Sequence, residues 1–120
     1  MMGRRVLVVD DEPAVLQAAA RILRRNGYTT VEASTGEQAL SLLSSHDIRL
    51  LLTDSIMPGM TGLTLASRAA ALRPGLRVLH MSGHTPPDMA DGREAFIMKP
   101  FTAEALLDRV HAALRTPPAR

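Results

Sequence analysis

Three carboxylates, Asp10, Asp11 and Asp54, one hydroxyl, Ser82, and one ammonium, Lys99, are the side chains of this sequence whose types could do chemistry together. Lys99 is the only lysine among fourteen basic residues, and a compact ammonium on a flexible stem differs physically from the wide planar fork of the thirteen arginines. Three acids gathered at one place repel one another, and one lysine cannot neutralise three. All-oxygen ligands of this kind suit Mg2+, with Mn2+ the second choice. A divalent ion beside a carboxylate, an ammonium and a hydroxyl is the equipment of phosphoryl transfer, in which positive charge offsets the oxygens of the group in flight while an oxygen nucleophile attacks in line. Asp54 is the candidate nucleophile. Taken singly, these residues have plainer readings: Asp10 and Asp11 precede a helix start, where negative charge is favoured by the macrodipole. Their joint placement carries the reading.

The elements that must bring them together are legible in the hydrophobic pattern, which alternates short β-rich runs with longer helical ones. Val6 to Val9 is a continuous apolar run, as in a strand buried on both faces. Pro13 opens a helix with Val15, Leu16, Ala19, Ile22 and Leu23 on one face, and Gly27 ends it. Thr29 to Ala33 is a second strand. Ser34 and Glu37 have the spacing of a capping box before a helix carrying Ala39, Leu40, Leu42 and Leu43 inward. Ile48 to Thr53 is a third strand and Leu63 to Leu72 a third helix, closed by Pro74 and Gly75. Arg77 to Met81 and Ala95 to Met98 complete the strands, and a last helix from about Thr102 carries Leu106, Leu107, Val110 and Leu114. Five strands alternating with helices predict a doubly wound α/β fold with a parallel sheet and right-handed crossovers. In such sheets ligands lie at the carboxyl ends of the strands, and Asp10, Asp11, Asp54, Ser82 and Lys99 all stand there.

Composition bounds the function. The chain, 46% apolar and 22% charged, is one domain over residues 1–120, with Thr116 to Arg120 a frayed tail or linker. No cysteine is present, so disulfides, zinc ribbons and thiol nucleophiles are excluded. A net charge of +2 and 2% aromatic residues give no ground for nucleic-acid binding, and no apolar run is long enough for a bilayer. A cytoplasmic location with no membrane partner is the expectation.

The motifs VLVVDDEP at 6–13, LLTDSIMPGMTG at 51–62, MSG at 81–83 and FIMKPF at 96–101 together resemble the receiver domain of two-component response regulators over essentially the whole chain. The resemblance implies a flavodoxin-like (βα)5 fold with strand order 2-1-3-4-5. It implies that Asp54 accepts a phosphoryl group from a histidine kinase or a histidine phosphotransfer protein. Asp11, Asp54 and the backbone carbonyl of Ile56 would hold Mg2+ directly, and Asp10 through water. Lys99 would pair with the phosphoryl group, Ser82 would donate to it, and Phe96 matches the aromatic that follows the position of Ser82. A cis peptide between Lys99 and Pro100 is implied as well. Such a domain does no chemistry beyond its own phosphorylation and dephosphorylation.

Sixteen residues separate Ser82 from Lys99, including Pro86, Pro87 and Gly92, several fewer than is usual in that family. A short or irregular fourth helix is therefore expected, and a monomer or weak dimer in place of the family's usual pairing. The shortened segment beginning SGHT is similar to receivers attached to hybrid sensor histidine kinases. Two other readings remain open: a phosphohydrolase with Asp54 as nucleophile, although the second acid of such enzymes is replaced by Ile56, and a degenerate receiver that only binds proteins. A nucleotide-binding module is disfavoured, because DDEP stands where a glycine-rich loop would follow the first strand. His80 and His84 do not share a helical face, and His80 reads as core. Met57 and Met60 read as loop packing.

Overall fold

The computed structural model describes residues 4–83 and 95–115. The expected fourth helix, His84 and the tail at 116–120 lie outside the described residues. In chain order the elements are β1 (Arg5–Val9), α1 (Pro13–Arg25), β2 (Thr29–Ala33), α2 (Gly36–Ser45), β3 (Leu50–Asp54), α3 (Gly62–Leu72), β4 (Arg77–Ser82), β5 (Ala95–Met98) and α4 (Ala103–Arg115). The five strands form one parallel sheet in the order β2-β1-β3-β4-β5. Among the described residues no helix is long and apolar enough to cross a membrane.

Side chains alternate across the strands, so the sheet feeds two cores. Val6, Val8, Leu50, Leu52, Leu79 and Met81 pack with α1 and α4 on one face. Leu7, Val9 and Leu51 pack with α2 and α3 on the other. The middle strands are buried on both faces, which is why their sequences are unbroken apolar runs. His80 is fully buried, and Met57 and Met60 are buried beside α2 and α3.

Local chemistry sets the boundaries. Pro13 occupies the first turn of α1, and Gly27, at φ +92°, takes the left-handed conformation just past the helix end. The expected cap of α2 is off by one residue. Thr35, not Ser34, is the N-cap, its hydroxyl accepting from Gln38 N–H, while Gln38 Oε1 accepts from Ser34 N–H at 2.9 Å. Two adjacent hydroxyl residues are each followed three positions on by a suitable partner, and the alternative one register later is used. Thr61 caps α3 by accepting from Thr64 N–H, so the helix opens at Gly62, one residue before Leu63. Ile48 is buried but precedes the ladder, which begins at Leu50.

Candidate functional site at the carboxyl edge of the sheet

The parallel register brings the chemistry-bearing residues to one edge. Asp10 follows β1, Asp54 and Ser82 are the last residues of β3 and β4, and Lys99 follows β5. Asp10 is tied into the sheet by its N–H, which donates to Ala33 O at 3.2 Å. Lys99 is anchored at its backbone, with N–H donating to Ser82 O at 2.7 Å, and the Lys99–Pro100 peptide is cis as the motif implies. From that anchor the flexible stem reaches across β4, and Nζ lies 3.0 Å from both Asp10 Oδ2 and Asp54 Oδ1 and 4.0 Å from Glu12 Oε1.

Asp10, Asp11 and Asp54 each offer a carboxylate oxygen, and these oxygens lie within 4.8 Å of one another. Asp10 is fully buried and Asp54 nearly so, whereas Asp11 is exposed. At an effective dielectric of about 20, each carboxylate pair at this separation repels by roughly 3 kcal/mol, and each close ammonium contact returns about 5. One lysine therefore leaves the cluster near balance before desolvation is counted. Burial then pushes the Asp10 carboxyl above its ordinary pKa, against the opposing hydrogen bonds from Glu12 N–H and Lys99. Burial also works against the Lys99 ammonium, but hydrogen bonds to Asp54 and Asp10 and the attraction of both carboxylates outweigh it and hold Lys99 above its ordinary value. The edge is acidic, charged and only just compensated.

The loop after β3 is shaped by close backbone approach. A Cβ on Gly62 would lie 2.5 Å from the carbonyl oxygen of Asp54 and 3.0 Å from Ser55 Cα, and the Gly62 N–H donates to Ser55 O at 2.9 Å. Only glycine lets the start of α3 sit directly on the strand end that presents Asp54. The buried hydroxyl of Ser55 has no hydrogen-bond partner among the described residues. Ile56 is 75% exposed at the mouth of the site. Phe96, half-buried, pairs in register with His80, one strand away from Thr53, and its carbonyl accepts from Arg109 on α4 at 2.9 Å.

Asp10, Asp11 and Asp54 are thus gathered together and Lys99 bridges Asp10 and Asp54, with Ser82 buried at the adjacent strand end and Phe96 two residues below that level on β5. Gly62 is a site residue that the pattern reading missed. Its signal was the glycine directly after a threonine cap, at the end of the motif around Asp54.

Comparison with known proteins places this geometry. Residues 6–111 match the family model of the response regulator receiver domain. The chain is 31% identical over 119 residues to the DNA-binding response regulator MtrA of Mycolicibacterium smegmatis, covering 95% of this chain and 52% of that protein. It is 31% identical over 116 residues to the sensor kinase CckA of Brucella abortus, covering 91% of this chain and 12% of that protein. Among solved structures, the receiver domain from the hybrid histidine kinase CckA is 38% identical with a TM-score of 0.80, over 92% of this chain and 99% of the other. A receiver domain protein from Methanospirillum hungatei is 30% identical with a TM-score of 0.85, over 93% and 94%. The chain therefore spans about half the length of the first of these curated relatives and a small part of the second.

Proposed function

We propose, from the premise that this chain belongs to the response regulator receiver domain family, that Asp54 is its phosphoacceptor and that a phosphohistidine on a kinase or phosphotransfer protein is the donor. The observation that carries the reading is the bridge from Lys99 Nζ to both Asp54 and Asp10 inside a cluster of three carboxylates. An Asp54 oxygen attacks the phosphorus, a P–O bond forms, the P–N bond breaks, and its electron pair leaves with the imidazole nitrogen. Lys99, already beside Asp54, moves its ammonium onto the incoming phosphoryl oxygens. The Ser82 hydroxyl, at the neighbouring strand end, donates a hydrogen bond to the same group and is drawn inward, and Phe96 turns inward behind it.

A donor set of three carboxylates fits Mg2+, with Mn2+ as a substitute. Asp11, Asp54 and the Ile56 carbonyl would hold it directly and Asp10 through water. When bound, the ion supplies the positive charge that lets an anionic carboxylate approach an anionic phosphoryl group. The domain's own chemistry ends at taking up and losing its phosphoryl group. Turnover of other phosphoesters is disfavoured, since the position two residues after Asp54 carries the isoleucine side chain and no acid. The reading places the domain in the cytoplasm as a monomer or weak dimer, whether it stands alone or within a hybrid kinase.

Mass spectrometry after incubation with an acyl phosphate tests the assignment. A labile phosphoryl adduct that requires Mg2+ and is absent in Asp54→Asn is the expected result. Sustained release of free phosphate from many phosphoesters would instead mark a hydrolase. No adduct and no release, in the presence of Mg2+, would mark a module that only binds proteins.

A further inference from the structure

At the amino ends of the strands, opposite Asp54, the charge has the other sign. Arg5 opens β1, Arg49 immediately precedes β3 and Arg77 opens β4. Backbone hydrogen bonds tie them into one row, with Arg49 N–H donating to Arg5 O at 2.9 Å and Arg77 N–H to Arg49 O at 3.4 Å. Neighbouring strands lie about 4.8 Å apart, and Arg5 and Arg49 stand side by side on one face of the sheet, while Arg77, in register with Leu50, stands on the other. Arg4 extends the row, its carbonyl accepting from Thr29 N–H at 3.0 Å, and the last turns of α1 and α4 bring Arg25 and Arg115 to the same end.

Arg77 has an interaction partner of its own, and among the described residues few acids answer the other arginines. Glu32 is taken by Arg24 at 2.8 Å, and Asp47 by Arg73 at 3.1 Å, with Arg49 more distant at 3.9 Å. Arg4, Arg5, Arg25 and Arg115 have no ion-pair partner among the described residues. The helix macrodipole accounts for arginines in the last turns of α1 and α4. It does not account for Arg5 and Arg49, neighbours at two adjacent strand starts, where like charges repel. The net charge of +2 conceals this separation, because four acids, Asp10, Asp11, Glu12 and Asp54, crowd at the opposite edge.

We propose that this arginine edge binds the phosphate backbone of a nucleic-acid duplex, without reading its sequence. Planar guanidinium forks meet phosphate oxygens in pairs, and Arg4, Arg5, Arg25, Arg49 and Arg115 at one end of the sheet supply several such contacts. Single strands are disfavoured, because their binding uses aromatic platforms and this chain has one tyrosine, two phenylalanines and no tryptophan. Among the described residues, Leu72, at the end of α3, is the one large hydrophobic side chain exposed near this edge. That leaves too little apolar surface for an amphipathic acidic peptide or for insertion into a bilayer. The length of the strands separates this edge from Asp54, so both can be engaged at once.

Fluorescence anisotropy with a labelled mixed-sequence DNA duplex, measured across a salt series, tests the proposal. Wild type is expected to bind at physiological salt with a dissociation constant on the order of 10⁻⁴ to 10⁻⁶ M, and more tightly as salt is lowered. The triple variant Arg4→Gln, Arg25→Gln, Arg49→Gln should bind about tenfold more weakly or less, with the slope of log K against log salt shallower by roughly 2 to 3. All three positions are exposed, and Arg25→Gln alone, lowering the slope by about 0.9, gives the same reading without a triple change. Arg68→Gln, in the body of α3, should leave affinity and slope unchanged. Equal affinity and slope in the triple variant and wild type would overturn the proposal. So would tighter binding, at the same salt, to poly-glutamate or to phosphatidylserine-containing vesicles than to the duplex.

Discussion

The two edges of the sheet hold their charges in different ways. At the carboxyl edge, three carboxylates and Lys99 are packed into a half-closed cluster, with Asp10 fully buried and Lys99 bonded to two acids at 3.0 Å. At the amino edge, arginines are spread over strand starts and helix ends, mostly in solvent, where screening makes their repulsion weak. Charges that face water can accumulate with little effect on stability. Charges that are buried together need a fold that forces them together, and here two apolar cores and a close-packed glycine do so.

The largest effect should follow from disturbing what forces the acidic edge together. Gly62→Ala places a Cβ 2.5 Å from the Asp54 carbonyl oxygen, a backbone atom that cannot swing aside. A loss of about 2 to 3 kcal/mol in urea unfolding is expected, within the usual range for overpacking, together with weakened phosphoryl uptake. An unchanged midpoint would mean that α3 does not brace the strand end.

The amino edge contains one arginine that is a clamp. Arg73 donates to Leu43 O and His46 O at 2.8 Å each, closing the end of α2, and to Asp47 Oδ1 at 3.1 Å. Arg73→Met should lower stability by about 1.5 kcal/mol, the order of one hydrogen bond from a charged donor at a partly exposed site. Arg4→Gln and Arg25→Gln should alter stability by less than about 0.5 kcal/mol. Equal losses at all three would erase the distinction between clamp and surface charge.

Ile56 tests the mouth of the acidic edge. Its exposed side chain has no hydrogen-bonding group and should crowd the approach of water to a phosphorylated Asp54. Ile56→Asn should shorten the life of the adduct by about fivefold, equivalent to about 1 kcal/mol of barrier. His84, which lies outside the described residues, should matter less: His84→Ala is expected to shift the rate mainly below about pH 6.5, where imidazole charges. Identical, pH-independent decay in all three proteins would retire the role of the entrance.

A smaller effect concerns pH. The Asp10 pKa is raised in the folded protein, so its ionised form is penalised at neutral pH, and that penalty is relieved as pH falls through the folded-state value. Lys99 behaves oppositely in direction of pH. Its raised pKa contributes stability that is fully present below about 10.5 and lost as pH rises above the folded-state value. Asp10→Asn should therefore raise metal-free stability at pH 7 by up to about 1 kcal/mol and remove the acid-side relief. A variant less stable at pH 7 than wild type would show that the contact to Lys99 outweighs burial.

Most of the acidic edge was legible in the sequence, because it depends on local rules that the chain obeys. Continuous apolar runs mark two-sided strands, and the residues directly after such runs converge at the edge of any parallel sheet. Asp10, Asp11, Asp54, Ser82 and Lys99 were found that way. The basic edge was not, because its row depends on which strands are neighbours, and a net charge of +2 averages the two edges away. The Arg73 clamp joins residues 27 and 30 positions apart and has no local signature. The cap of α2 fell one residue late because Ser34 and Thr35 are both competent and the backbone register decides between them. Gly62 needs its role read from distance, since the contact it permits is with backbone atoms of the preceding strand end.

The claim that the carboxyl edge is a strained acid cluster awaiting a cation is tested most directly by thermal melts of wild type and Asp54→Asn, each with and without Mg2+. The account predicts that metal-free Asp54→Asn melts higher than metal-free wild type, by about 1 kcal/mol or more of stability, and that Mg2+ raises the melting temperature of wild type but not of the variant. A wild type indifferent to Mg2+, with Asp54→Asn melting lower, would contradict it.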